Sequence, residues 1–382
     1  MRVIFFIHSF LSDWNHGNAH FLRGVATELI SRGHDVRLYE PSDAWSVQNL
    51  TADHGDEALA ATRRAYPALD SVRYHESALD LDEALDGADL VIVHEWNTHD
   101  LVRRIGEYRR GRRFVLLFHD THHRSVSEPQ QMAAYDLSNY DGVLAFGEVI
   151  REGYLKHGWA ARAWTWHEAA DVRVFKPSRA RFEQPAADAA ADVVWIGNWG
   201  DEERTAELRE FLIEPVRRAA LTGTVHGVRY PGHAVVALEQ AGLSYRGWLA
   251  NYRVPEVFSR HRATVHVPRR PYVEALPGIP TIRPFEALAC GIPLICAPWD
   301  DAERLFRPGT DYLVARNGAE MERHLRDVRE DAALASSLAA HGLETIRARH
   351  TCAHRVDELC AMVAALTAAP AMAPASEKVL TT

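Results

Sequence analysis

Lysine is almost absent from this chain: of 43 Lys plus Arg residues only Lys156, Lys176 and Lys378 are lysines. Nearly all positive charge is therefore guanidinium, which stays ionised and grips phosphate or carboxylate with a fixed fork of donors. Positive charge is also outnumbered, 43 against 52 Asp plus Glu, giving a formal net charge of -9 over 382 residues. That balance argues against sequence-independent nucleic-acid binding, which needs clustered cations to neutralise phosphates, and leaves room only for a local basic cleft. Long apolar runs are missing too. Stretches such as Val115 to Phe118 fall far short of the roughly 20 residues a bilayer crossing requires, so no transmembrane segment is expected. The four cysteines (Cys290, Cys296, Cys352, Cys360) match no common zinc or redox spacing and are too few to staple a chain of this size. Reduced thiols and a cytoplasmic setting are the expectation. No G-x-G-x-x-G loop occurs in either half, which argues against a hydride-transferring dinucleotide enzyme, and no short repeat is present.

What is there is an ordinary globular composition, 47% hydrophobic, in a chain long enough for two domains. The opening run Val3 to Ser9, broken by His8 and lacking a small-residue cleavage site, reads as a buried strand rather than a secretory leader. A helix over Ala19 to Ser31, stopped near Gly33, and a strand over Val36 to Tyr39 follow. Apolar strands then recur at Leu90 to His94, Phe114 to His119 and Val143 to Phe146. A second series holds a strand at Val193 to Gly197, a helix from about Glu203 to Ala220, and strands at Thr224 to His226, Thr264 to Pro268, Leu294 to Ala297 and Tyr312 to Ala315. Uninterrupted apolar strands alternating with helices predict parallel sheets covered on both faces. The expected fold is α/β, with two Rossmann-like doubly wound domains: 1–178 first, and 190–350 second. Arg179 to Asp192 reads as the linker between them. A last helix within 351–368 is expected to cross back to the first domain, and 369–382 reads as a flexible tail.

Ligands of open parallel sheets sit beyond the carboxyl ends of the strands, and several loops there are polar. Asp13-Trp14-Asn15-His16-Gly17-Asn18 precedes a helix N-terminus, where backbone amides favour an anion; an ordinary glycine turn is the alternative. His119-Asp120-Thr121-His122-His123 and His94-Glu95 through His99 gather imidazoles at strand ends. Neither has a strong metal-site spacing, and no metal is expected at either. Gly197-Asn198-Trp199-Gly200 followed by Arg204 is a plausible phosphate cradle. The densest pattern is Gly278-Ile-Pro-Thr281-Ile-Arg283-Pro-Phe285-Glu286-Ala-Leu-Ala-Cys290-Gly291-Ile-Pro293. Here Thr281 reads as a helix N-cap, Gly291 as its stop, and Glu286 as a helical carboxylate that could accept bonds from a ribose diol. A Glu on the solvated helix face is the bland alternative.

The stretch Arg283 to Pro293, continued by Asp301-Ala-Glu303-Arg-Leu-Phe306-Arg-Pro308-Gly309, resembles the GT-B glycosyltransferases of the retaining, family-four type, in particular their CgeB-like (spore maturation protein-like) branch. Phe118-His119-Asp120, Phe175-Lys-Pro177, Tyr245-Arg-Gly247-Trp-Leu249 and Val265-His-Val-Pro268 extend the resemblance over most of the chain. It implies two Rossmann-like domains facing a central cleft, and transfer of a sugar from a nucleotide-diphosphate sugar, with retention and without metal or other cofactor. It further implies catalytic roles for His119, Glu286 and Arg204. Donor contacts would come from Gly17, Gly197, Asn198, Arg204, Gly247, Thr281, Arg283 and Glu286. The wider family carries a second Glu eight residues before Glu286; this chain has Gly278 there, with Glu274 or Arg283 as substitutes. The implied acceptor side holds Trp14, His94, Glu95 and His122; Trp164 and Trp166, before His167-Glu168, are cleft candidates, with packed core aromatics the alternative. UDP, GDP and dTDP donors stay open, as do a small-molecule, glycan or protein acceptor and the oligomeric state. Two alternatives are a non-catalytic nucleotide- or sugar-binding protein, and a GT-B nucleotide-sugar epimerase.

Overall fold

The computed structural model describes residues 1–178, 191–200 and 202–368. The linker expected at Arg179 to Asp192 lies almost wholly outside the described residues, and the expected tail at 369–382 entirely so. Among the described residues, β1 (Arg2–Phe6), β2 (Asp35–Pro41), β3 (Ser71–Tyr74), β4 (Leu90–His94), β5 (Val115–Asp120), β6 (Gly142–Ala145) and β7 (Ala163–Thr165) form one sheet. Its order is β3-β2-β1-β4-β5-β6-β7, with every pairing parallel. A second parallel sheet, ordered β10-β9-β8-β11-β12-β13, joins β8 (Ala191–Ile196), β9 (Gly223–His226), β10 (Leu243–Tyr245), β11 (His261–His266), β12 (Leu294–Cys296) and β13 (Leu313–Val314).

The central strands are buried on both faces, as Val3 to Ile7, Leu90 to Val93 and Leu116 to Phe118 show with no exposed surface; helices cover each side. The helix at Ala19–Ser31 falls where sequence periodicity puts it. It buries Ala26 together with Phe21, Leu22, Val25 and Leu29, the last four each contributing about 1.5–3 kcal/mol by removal from water. The helix expected from about Glu203 to Ala220 is present from Thr205 to Arg218, though not as one regular α-helix. Its middle, Arg209–Ile213, is wound as a π-type turn between two α-helical segments. The strands β3, β7 and β10 have too few apolar residues to stand out in the sequence, because they lie at or near sheet edges.

The final helix, Cys352–Ala368, packs against Ala19–Ser31 on the first sheet. Arg32 pairs with Asp357 at 2.5 Å, and Trp166 Nε1 donates to the Arg355 carbonyl at 2.9 Å. Contact is so close at Gly24 that an added Cβ would collide with Cys352 and Asp171. Where the chain returns, Ala170 and Thr351 form a small parallel bridge: Ala170 N donates to His350 O, and Cys352 N to Ala170 O, each at 3.0 Å. By Pro177 the chain has come beside Gly291 of the second domain, where an added Cβ would be 3.5 Å from the Pro177 ring. No helix among the described residues is long and apolar enough to cross a membrane.

Candidate active site

The carboxyl ends of the two sheets face each other across a cleft of about 750 Å³. From the second domain, Gly197 and Asn198 after β8, Arg204, Pro268 and Arg269 after β11, and Thr281, Ile282 and Arg283 at the start of the Ile282–Ala289 helix line it. Arg204 is held with its guanidinium over the Trp195 ring, 5.1 Å from the centroid, donating to the carbonyls of Val267 (3.1 Å) and Asn198 (2.7 Å). Burial, reinforced by the nearby Arg269 cation, lowers its pKa to about 9, which leaves it charged at neutral pH. Arg269 is anchored by Glu203 at 2.5 Å. Three guanidiniums thus border one cavity beside a helix N-terminus, an arrangement suited to anionic oxygen.

Thr281 does not cap that helix. Its side chain makes no capping bond, and its backbone sits at φ 61°, ψ -178°, a region essentially reserved for glycine and costing of order 1–3 kcal/mol. Such strain persists where surrounding structure enforces it, here at the cavity rim.

The first domain presents a different wall. Trp14, Asn15, His16, Gly17 and Asn18 from the loop after β1 line the cleft with Trp45, Asn49, Trp96, His122 and His123. Trp45 lies edge-on to both Trp14 (6.2 Å between centroids, 74°) and Trp96 (6.5 Å, 75°), and His122 packs on Trp96 at 5.3 Å. Gly17 leaves room for Ile282 of the opposite domain, whose Cγ2 would be 3.4 Å from an added Cβ.

Of the residues expected from the sequence, Gly17, Gly197, Asn198, Arg204, Thr281, Arg283, Trp14 and His122 border the cavity, whereas Glu286, His119, His94, Glu95 and Gly247 do not. Strand alternation explains the histidines. His119 shares its face of β5 with Val115 and Leu117, and His94 its face of β4 with Leu90 and Ile92; both faces point into the core against the Ala19–Ser31 helix. His119 is fully buried against Phe21, Trp166 and His94, and burial lowers its pKa to about 3. Glu95 is likewise sealed, its Oε1 accepting from Thr121 N at 2.8 Å, and burial pushes its carboxyl above the usual range. Gly247 accepts from Gly227 N at 2.9 Å, while its neighbour Trp248 takes the cavity position.

Glu286 is the main correction. It has no exposed surface and lies on the inner side of its helix, not toward solvent or the cleft. Arg283 ion-pairs with one oxygen. The other accepts from Asn251 Nδ2 (2.7 Å) and from His20 Nδ1 (2.8 Å) in the first domain. His20 Nε2 in turn accepts from Asp171 N at 2.9 Å, which fixes the tautomer that donates to Glu286. Despite burial, Arg283, His20 and Asn251 hold this carboxylate below its usual pKa. Gly278 sits at φ +87°, and Glu303 fills the space a side chain would need, its Oε1 2.7 Å from an added Cβ. Glu303 is itself tied to the first domain by Glu148 N (2.8 Å) and His167 Nε2 (2.7 Å). Glu274 is on the exposed side of the Arg270–Ala275 helix.

Sequence reasoning overlooked Arg269, Trp45 and Trp248. Arg269 lies three residues beyond the end of β11, in the loop where ligand-binding residues of parallel sheets concentrate, so its signal was present. Trp45 and Trp248 reach the cleft only through tertiary packing. Asp13 explains Trp248: its carboxylate accepts from Trp248 Nε1 (3.0 Å), Asn251 N (3.1 Å) and the buried Arg23 (3.0 Å), bridging the domains.

Two facing parallel-sheet domains of this topology are the architecture of the GT-B glycosyltransferases. The chain superimposes on sucrose-phosphate synthase (tll1590) from Thermosynechococcus elongatus with a TM-score of 0.66 at 14% identity, covering 97% of this chain and 100% of that one. Anabaena Alr3699/HepE in complex with UDP-glucose gives 0.66 at 14% identity, over 96% and 100%. An alpha-glucosyltransferase in complex with UDP and a 13-mer DNA gives 0.67 at 12% identity, over 95% and 100%. Residues 204–361 match the model of a glycosyl transferase-like family, Glyco_trans_1_2. No curated protein is significantly similar in sequence.

Proposed function

We propose that this protein is a glycosyltransferase that moves a sugar, of hexosyl type, from a nucleotide-diphosphate sugar to a hydroxyl-bearing acceptor, and that it belongs to the CgeB-like branch and works in the cytoplasm. The observation that carries this reading is the convergence of Arg204, Arg269 and Arg283 on one cleft wall beside the Ile282–Ala289 helix. These cations hold the diphosphate and take up the negative charge that grows on it as the bond to the sugar breaks, the electrostatic task a divalent metal performs in other transferases. The opposite wall, with Trp14, Trp45, Trp96 and His122, receives the acceptor. Transfer proceeds with retention: the sugar C1–O bond to the diphosphate breaks, the acceptor oxygen bonds to C1 on the same face, and the acceptor proton passes to the departing phosphate oxygen. UDP complexes among the structural neighbours support a diphosphate donor.

The sealing of His119 and Glu286 favours one second reading, a GT-B protein that binds a nucleotide sugar without transferring it. Calorimetry with UDP, GDP, ADP and dTDP, with and without EDTA, followed by donor turnover assays against an acceptor panel, separates the two. The transferase reading expects metal-independent binding of one diphosphate and acceptor-dependent turnover. Binding without turnover supports the second reading, and no binding sinks both.

A further inference from the structure

One carboxyl of the cleft has no part in this account. Glu168 lies just after β7, where the chain begins to leave the first domain, and it lines the cavity although only 4% exposed. Asn18 Nδ2 donates to its Oε1 at 2.9 Å, while Oε2 has no partner among the described residues. A buried carboxyl with an idle oxygen is costly, and the cost is recovered when a ligand supplies the missing hydrogen bond. The arginine wall is the place for phosphates; a carboxyl suits uncharged hydroxyls.

We propose that Glu168 is a substrate-contacting residue that hydrogen-bonds a hydroxyl of the transferred sugar through Oε2. This inference rests on the nucleotide-sugar reading above.

The electrostatics of the site support it. The groups acting on Glu168 are Asn18 from the β1 loop, Glu286 and Arg283 from the Ile282–Ala289 helix, and Tyr272 from the Arg270–Ala275 helix. Burial first, and the Glu286 carboxylate second, raise its pKa to about 8, against the opposing pull of Asn18 and Arg283. Below pH 8 the side chain is neutral and can sit beside an anionic donor. Above it, a further negative charge appears in the cleft and repels the diphosphate, so binding falls as pH rises.

The test is calorimetric titration of the full chain and its Glu168→Gln and Glu168→Ala variants with UDP, GDP and dTDP and with the corresponding glucose nucleotides, at pH 7 and pH 9. For the nucleotide that binds, the wild type should hold the glucose nucleotide about tenfold more weakly at pH 9 than at pH 7, the loss expected one unit above a single controlling ionisation. Glu168→Gln, permanently neutral, should keep its pH 7 affinity at pH 9. Glu168→Ala should lose about tenfold for the glucose nucleotide while binding the bare diphosphate as the wild type does. A pH loss shared equally by wild type and Glu168→Gln overturns the proposal, and so does equal binding of the glucose nucleotide by wild type and Glu168→Ala. If the wild type binds none of the diphosphates at either pH, it is the nucleotide-sugar reading that fails, a result distinct from either of these.

Discussion

The two walls of the cleft occupy equivalent places, the carboxyl ends of parallel sheets, and carry opposite chemistry. On the first wall and just beneath it are His8, His16, His94, His119 and His122. Burial pushes the pKa of every one of them down, to about 4 for His8 and about 3 for His119, so at neutral pH they are uncharged rings among tryptophans. On the second wall are Arg204, Arg269 and Arg283. Burial can discharge a histidine at neutral pH but not an arginine. The same desolvation therefore leaves the histidines of one wall neutral and the arginines of the other cationic, the division on which the proposed placement of an anionic donor against the second domain rests.

Acid should erase the difference, and with the largest effect. A buried histidine with a lowered pKa stabilises the fold above its unfolded pKa near 6.5, and that stability is lost as pH falls toward the folded value. At pH 5, His8 and His119 alone would cost about 4 kcal/mol together. Urea unfolding between pH 8 and 5 should show a steep loss below pH 6.5, and His119→Leu should flatten it; an unchanged midpoint at pH 5 would show that the histidine wall is hydrated. Next in size is Glu286→Ala. Removing this carboxylate strands Arg283, His20 and Asn251, and the expected loss is about 3 kcal/mol of stability, read as a lower urea midpoint. A fully stable variant that has lost only nucleotide affinity would return Glu286 to the donor site. Arg269→Ala should weaken diphosphate binding by about 1.5–2 kcal/mol, with Trp45→Ala as the contrasting variant, raising acceptor KM and sparing diphosphate affinity. If both substitutions act on the same ligand, the division between the walls is wrong. The smallest effect is expected from Thr281→Gly, which relieves the backbone at φ 61° and should raise stability by about 1 kcal/mol; a loss would mean that the threonine side chain has a packing role.

The sheets were legible because buried parallel strands announce themselves as apolar runs: Leu90–His94 and the helix Ala19–Ser31 coincide with their sequence-based boundaries. Which residues line the cleft was only partly legible. Spacing locates His119 at a strand end, but the choice between cleft and core turns on a one-residue alternation and on Trp166 and Phe21, which arrive from distant sequence. Glu286 shows the same limit. Its helix is readable, whereas its inward orientation depends on His20, 266 residues away. The glycine at 278 looked like a lost carboxylate in the sequence; in the fold its left-handed backbone and the incoming Glu303 make glycine the residue that fits.

The bridge between Ala170 and Thr351 has a consequence for how such a chain can change. Two stretches that flank the second domain in sequence, Ala170 before it and Thr351 after it, lie side by side there, and the Cys352–Ala368 helix is already part of the first domain's packing. The arginine-bearing half is thus inserted between two adjoining stretches of backbone, and it is tied to the other half again by His20 with Glu286, Trp248 with Asp13 and His167 with Glu303. Exchanging that half would take two cuts and a matched face, because the core under the Ala19–Ser31 helix continues into Phe285, Leu288 and Cys290 of the second domain.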